Sequence, residues 1–272
     1  MIRSNSTEPT EAEGGLARRH RAVVFAAALA ASACCFALVP ADSLVGSIAQ
    51  TALLAAVALV AVGLSRPGAL GAPRHGVCRG LRALIGYVLA VGLAAGAVTV
   101  VGPCSGEVLA GGVLRIVQVV ALCFLTGVFE EGVFRVLAID AFAPAFGGGR
   151  SGLLKAAIAS SAVFGLLHVS VGDAGLANDA VSVAQMALKP VQAGLFGLFM
   201  AAVYVGTRNL WVLVGVHAAF NMLHAGPVLL ADGVQQTYVT GAPLDLVLLA
   251  ATTLLLIPPA VRAFSMVRGS RA

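Results

Sequence analysis

The sequence predicts an all-α fold, a polytopic membrane helix bundle of about eight transmembrane helices. Three observations predict it. Of 272 residues, 59% are hydrophobic and only 11% charged, with a mean hydropathy of +0.97, whereas a soluble domain carries charge on about a quarter of its residues. The apolar residues fall in blocks of roughly 17–25, the length a helix needs to cross the hydrocarbon core. Basic residues gather at alternate joints between those blocks. Backbone groups in lipid must bond within their own segment, which selects helices, and no ten-residue alternation suggests a barrel.

Taken in order, residues 1–21 are polar and end in Arg18, Arg19, His20 and Arg21, as expected of a disordered cytoplasmic tail with a basic stop. Residues 22–264 form the membrane domain. Its first block, Ala22–Val39, is too long for a cleaved signal region and reads as a signal anchor. The following spans are Leu44–Leu64, Ala83–Gly102, Val108 to about Phe142, Gly152–His168, Val191–Thr207, Leu210–Ala225 and Leu244–Val261. Pro40, Arg66-Pro67-Gly68, Gly102-Pro103, Gly147-Gly148-Gly149 and Gly226-Pro227 punctuate the joints. Val169–Pro190, semi-polar with Asp173, Asp179 and Gln185, reads either as a loop or as a re-entrant piece.

With the N-terminus inside, fourteen of the seventeen lysines and arginines fall on cytoplasmic segments. The exceptions are Lys189, placed in an outer loop, and Arg115 and Arg135, placed within spans. This asymmetry sets both termini in the cytoplasm. It also accounts for the net charge of +5 without nucleic acid as a partner; the bilayer is the surrounding medium. The Arg-rich, Lys-poor, Ala/Gly/Val-rich composition suggests a bacterial source and hence the bacterial cytoplasmic membrane. Five cysteines show no metal-type spacing and read as small packing residues.

Charges inside spans are the informative residues, because each costs roughly 2.5–3.5 kcal/mol at mid-membrane. The fourth span holds Glu130, Glu131 and Arg135, the fifth ends Phe164-Gly-Leu-Leu-His168, and the seventh holds His217 and Asn221. At about 100° per residue, Glu131 and Arg135 share a face and pair, which leaves Glu130 free. A free, desolvated carboxylate in a bundle is a candidate general base. His217 and Asn221 share a face and can donate to one oxygen. The bland alternatives are a structural ion network, a packing role for His168, and helix–helix adhesion by Asn221. His224 is expected at the interface, Arg115 near the outer surface, and Trp211 as an interfacial anchor.

Glu130-Glu131-x-x-x-Arg135, Phe164-x-x-x-His168 and His217-x-x-x-Asn221, in this order on successive spans, resemble the three motifs of the CAAX protease and bacteriocin-processing family of intramembrane endopeptidases. The resemblance covers about residues 108–225. It implies that Glu130, assisted by His168, activates a water for attack on a peptide carbonyl. His217 and Asn221 would hold the oxyanion, and Glu131 and Arg135 would hold the site together. The implied substrate is a membrane-associated peptide or protein. Zinc on Glu130, His168 and His217 stays open as a rival mechanism. A metal-free one is favoured, since Asn is a poor zinc ligand and a good oxyanion donor.

The missing His-Glu-x-x-His excludes a zinc protease of that type. A proton-coupled or solute transporter also uses intramembrane Glu, Arg and His, but the paired halves and broken helices of such carriers are missing. A non-catalytic scaffold or immunity protein of the same fold is the third reading. One detail fits poorly: counted at about 1.5 Å per residue, Glu130 and His217 share a depth, while His168 comes out nearer the outer side.

Overall fold

The computed structural model describes residues 11–72, 77–102, 111–169, 175–233 and 237–270, with side chains from Arg19 onward. Every long regular element among them is helical. The order is α1 (Glu11–Leu38), α2 (Leu44–Ser65), α3 (Arg79–Val101), α4 (Gly112–Glu130), a π-helical stretch (Glu131–Leu137), α5 (Ala138–Ala145), α6 (Gly149–Leu166), α7 (Ala180–Thr207), α8 (Leu210–His224), α9 (Gly226–Asp232) and α10 (Pro243–Gly269), with a short 3-10 turn after α2. Each of the eight expected spans coincides with helix. Six segments are long and apolar enough to cross a membrane by themselves: Arg19–Leu38, α2, α3, Gly112–Ala145, α7 and α10. A seventh is the pair α8 and α9, bent by 59° at Ala225. The remaining helix, α6, has 18 residues and carries Arg150 and Lys155 at its start, which dilutes its hydropathy.

Three boundaries differ from the sequence reading. Residues 11–21, expected to be disordered, are the first turns of α1. The fourth span begins at Gly112 and runs on to Ala145; the expected start at Val108 lies outside the described residues. The sixth helix begins at Ala180, eleven residues before the expected Val191. Asp179 explains that start, because its carboxylate accepts from the Ser182 backbone N–H at 2.9 Å as an N-cap. Of the undecided stretch 169–190, residues 170–174 lie outside the described residues, and Ala180–Pro190 is helix.

The bundle is inside-out relative to a soluble protein. On α4, Val113, Val117, Val120 and Phe124 form an exposed apolar stripe, as a lipid-facing side requires. On α7, Ser182, Gln185, Lys189 and Gln192 recur at spacings of three and four and are all buried. They tie α7 to α10. Gln185 donates to Thr240 Oγ1 and to the Ala242 carbonyl, both at 3.1 Å, and accepts from Gly241 N; Gln192 donates to Thr252 Oγ1. α7 also packs against α6, α4 against α2 and α8, and α3 against α8.

Glycine permits the closest of these approaches. A Cβ on Gly165 would collide with the Pro190 carbonyl and stand 3.1 Å from Gly194 N. A Cβ on Gly96 of α3 would collide with the Leu223 carbonyl of α8. Both neighbours are backbone, so neither yields without moving a helix. Gly165→Ala is therefore expected to cost about 1–3 kcal/mol, seen as a lower unfolding midpoint in detergent. Gly80→Ala, whose Cβ meets open space, leaves the midpoint unchanged or raised.

Candidate active site

The fourth span changes helix type where its charges lie. Glu130 is the last residue of α4, and Glu131 opens the π-helical stretch that runs to Leu137. Such widened turns often mark functional sites. This one packs against α2, where Ala58 leaves room only for Gly132, whose Cβ would stand 3.0 Å from the alanine methyl. Ser160 of α6 donates its hydroxyl to the Phe134 carbonyl, supplying a partner where the helical ladder is disturbed.

Around this turn the charges sort as the helix geometry predicts. Arg135 Nε lies 3.3 Å from Glu131 Oε2, with both side chains fully buried. This is an ion pair by distance, although its angles are not those of a hydrogen bond: the guanidinium nitrogens have no acceptor among the described residues. The cation also stands 4.0 Å over the Phe164 ring, which adds an attraction no carboxylate supplies. Glu131 Oε1 accepts from His217 Nδ1 at 2.6 Å. His217 Nε2 faces Glu130 Oε2 at a looser 3.4 Å. A carboxylate oxygen thus stands before each His217 nitrogen. Glu131 is consumed by this cluster; Glu130, 19% exposed, is not.

Glu130 opens instead into a cavity of about 310 Å³, which Lys189, His168, His217, Asn221 and His224 also line. His168 follows the end of α6, and its Nδ1 lies 2.7 Å from the Phe164 carbonyl. A carbonyl only accepts, so Nδ1 carries the hydrogen and Nε2 keeps a lone pair. The depth mismatch from counting along straight spans disappears, since packing of α6 against α5 and α7 brings His168 to the cavity. The Asn221 amide has no hydrogen-bond partner among the described residues and lines the same space. Between α9 and α10, Tyr238 closes one side, its ring 6.4 Å from that of His168. Burial and the charge of Glu130 push its phenol up to about 12, so it stays a neutral hydrogen-bond donor.

Two placements correct the sequence reading. Lys189, expected in an outer loop, is a buried residue of α7 facing the cavity. His224, expected at the interface, lines the cavity and stacks on Phe220 at 5.3 Å. Arg115, expected to snorkel or pair near the outer surface, does pair: it donates to the Leu230 and Ala231 carbonyls at 3.1 and 2.8 Å and closes the end of α9. Trp211 donates to the Leu70 carbonyl at 2.9 Å, consistent with an anchor between α8 and the turn after α2.

The candidate zinc ligands Glu130, His168 and His217 share the cavity. Among the described residues, no group of three His, Cys, Asp or Glu could hold a metal ion. His217 Nδ1 is engaged by Glu131 at 2.6 Å, which leaves Nε2 as the ring nitrogen turned toward Glu130.

Residues 112–223 match the family described as type II CAAX prenyl endopeptidase, Rce1-like. The family resemblance read from the three motifs thus holds over a segment that contains Glu130, Glu131, Arg135, His168, His217 and Asn221. No curated protein and no solved structure matches the chain.

The ionic cluster makes its own prediction. Arg135→Met or Glu131→Gln alone strands a buried partner and is expected to cost about 3–5 kcal/mol. The double variant removes both charges and loses less than the sum. Denaturant unfolding of the four proteins in detergent measures the difference.

Proposed function

We propose that this integral membrane protein is an intramembrane endopeptidase in which Glu130 activates the hydrolytic water without a metal. The observation that carries the reading is the unequal fate of two adjacent carboxylates. Glu131 is locked by Arg135 and His217, whereas Glu130 faces a polar cavity beside a His168 lone pair and an unengaged Asn221 amide.

The chemistry follows from those groups. A water between Glu130 and His168 Nε2 is oriented by two acceptors and attacks the peptide carbonyl carbon, its proton passing to Glu130. The carbonyl oxygen becomes an oxyanion and takes N–H bonds from Asn221 and from His217 Nε2, whose 3.4 Å contact with Glu130 is loose enough to be exchanged. When the C–N bond breaks, Glu130 returns the proton to the leaving nitrogen. The carboxylate therefore ends as it began, and one water has been added across the bond.

The substrate we propose is a peptide or protein held at the membrane by an apolar portion. The family match supports this class, and so does the cavity wall, where Phe196, Phe220, Leu249 and Leu256 stand beside the polar groups. We also propose that both termini lie in the cytoplasm. With Lys189 inside α7, the outer loops of this orientation contain no lysine or arginine, a cleaner split than the original count.

Glu130→Gln in the purified protein is expected to lower cleavage of a membrane-associated peptide by at least about 1,000-fold, with its unfolding midpoint within a few degrees of wild type. Asn221→Ala should lose about 100–1,000-fold in kcat, as removal of one oxyanion donor does. Chelation followed by metal removal leaves the rate unchanged. A broad peptide screen without cleavage, coupled to proton or solute movement in liposomes, would overturn the reading in favour of a carrier.

A further inference from the structure

Among the described residues that line the cavity, Lys189 is the one lysine or arginine, and the hydrolytic scheme does not use it. It lies about ten residues into α7, 8% exposed. Its Nζ donates to Gln192 Oε1 at 3.0 Å and stands 3.8 Å over the Tyr238 ring. Gln192 is itself fixed by its bond to Thr252 Oγ1 of α10. The ammonium is thus held in place on two sides by neutral groups.

No carboxylate lies within 4 Å of it among the described residues. Glu131 is paired with Arg135 and His217, and Glu130 touches only His217 Nε2, at 3.4 Å. Asp245, at the far wall of the cavity, takes the Thr240 hydroxyl at 2.6 Å. A buried cation with no carboxylate in contact is costly, and it is retained where an incoming group supplies a touching charge. An ammonium has three donors, of which one is spent on Gln192, and the cavity is the space onto which the others open.

Resting on the protease reading, we propose that Lys189 binds a carboxylate of the substrate and so fixes which peptide bond is presented to Glu130. The recognised group is a carboxylate, carried either at the C-terminus of the peptide or on an acidic side chain near the cleaved bond. Gln192 and Tyr238 are the positioning residues: they hold the ammonium at the cavity wall, away from the lipid. Lys189 touches substrate at a point remote from the broken bond, so its contribution appears in binding rather than in the chemical step.

The test uses full-length protein and one cleavable membrane-associated peptide in three forms: free C-terminal carboxylate, C-terminal amide, and amide with an added Asp beside the cleaved bond. Lys189→Met is expected to raise KM for the carboxylate-bearing form by about 10-fold or more, with kcat within about 3-fold of wild type. Its KM for the plain amide is unchanged, and Lys189→Arg restores most of the loss. Which of the two acidic forms responds tells a C-terminal carboxylate from a side chain. Should Lys189→Met fail to fold, the wild type alone must prefer an acidic form over the amide. Affinity measured on Glu130→Gln protein gives the same answer without turnover. Carboxylate binding that depends on Lys189 but is never followed by cleavage in wild type would support the anion site and overturn the protease. Equal KM for all three forms, or an equal kcat loss on all of them in Lys189→Met, overturns the proposal and leaves the protease reading standing.

Discussion

A charge placed inside the bilayer must be cancelled where it stands, and the contact that does this here is Arg135 against Glu131, completed by His217. The three come from two helices that are far apart in sequence, and all are almost fully removed from solvent. If any one is removed, a bare charge is left among Phe164, Phe196 and the apolar faces of α2 and α8. Neutralisation is therefore the condition for α4 and α8 to lie side by side at all. Its by-product is chemical. Two neighbouring carboxylates of identical type acquire different jobs, because only one of them lies within reach of the guanidinium.

The same condition shapes the helices around it. The close packing of α6 on α7 at Gly165 and of α3 on α8 at Gly96 removes side-chain volume exactly where backbones must meet, so that the space they enclose is left to polar groups. Above the site, Gln185 holds residues 240–242 by three hydrogen bonds, which fixes the loop that presents Tyr238. Polar residues on α7 thus act as fasteners facing inward, while valine and phenylalanine on α4 face outward. In a solvent of hydrocarbon, hydrogen bonds between helices are what give a bundle its register, since lipid supplies no competing partner.

Much of this was legible in the sequence, for identifiable reasons. Helices were legible because apolar runs of that length admit no other structure, and the Glu131–Arg135 pairing followed from a four-residue spacing. Lys189 was not, because the stretch 169–190 was judged by its total polarity. The periodicity of Ser182, Gln185, Lys189 and Gln192 was the available signal: polar residues at spacings of three and four mark one inward face of a helix. The π-helical turn after Glu130 left no such signal, since its sequence is ordinary for an α-helix. His168 was misplaced in depth because counting residues assumes straight, parallel spans, whereas its position depends on where α6 ends and how it crosses its neighbours. His224 was missed for the same reason: the bend at Ala225 keeps the end of α8 against the cavity.

The two histidines show how backbone and carboxylate contacts assign chemistry before any substrate arrives. A carbonyl can only accept, so the contact of His168 Nδ1 with Phe164 O commits that ring to offering a lone pair at Nε2. A carboxylate also only accepts, so the contact of His217 Nδ1 with Glu131 commits the second ring to donating at Nδ1. One imidazole is thus set as an acceptor and the other as a donor, at the same pH and in the same cavity. Exchanging those settings would require breaking a 2.6 or 2.7 Å bond. The site therefore owes its polarity to second partners lying away from the cavity. Substitution of Phe164 by another residue leaves the His168 setting intact, because it is the backbone oxygen, not the ring, that fixes the hydrogen.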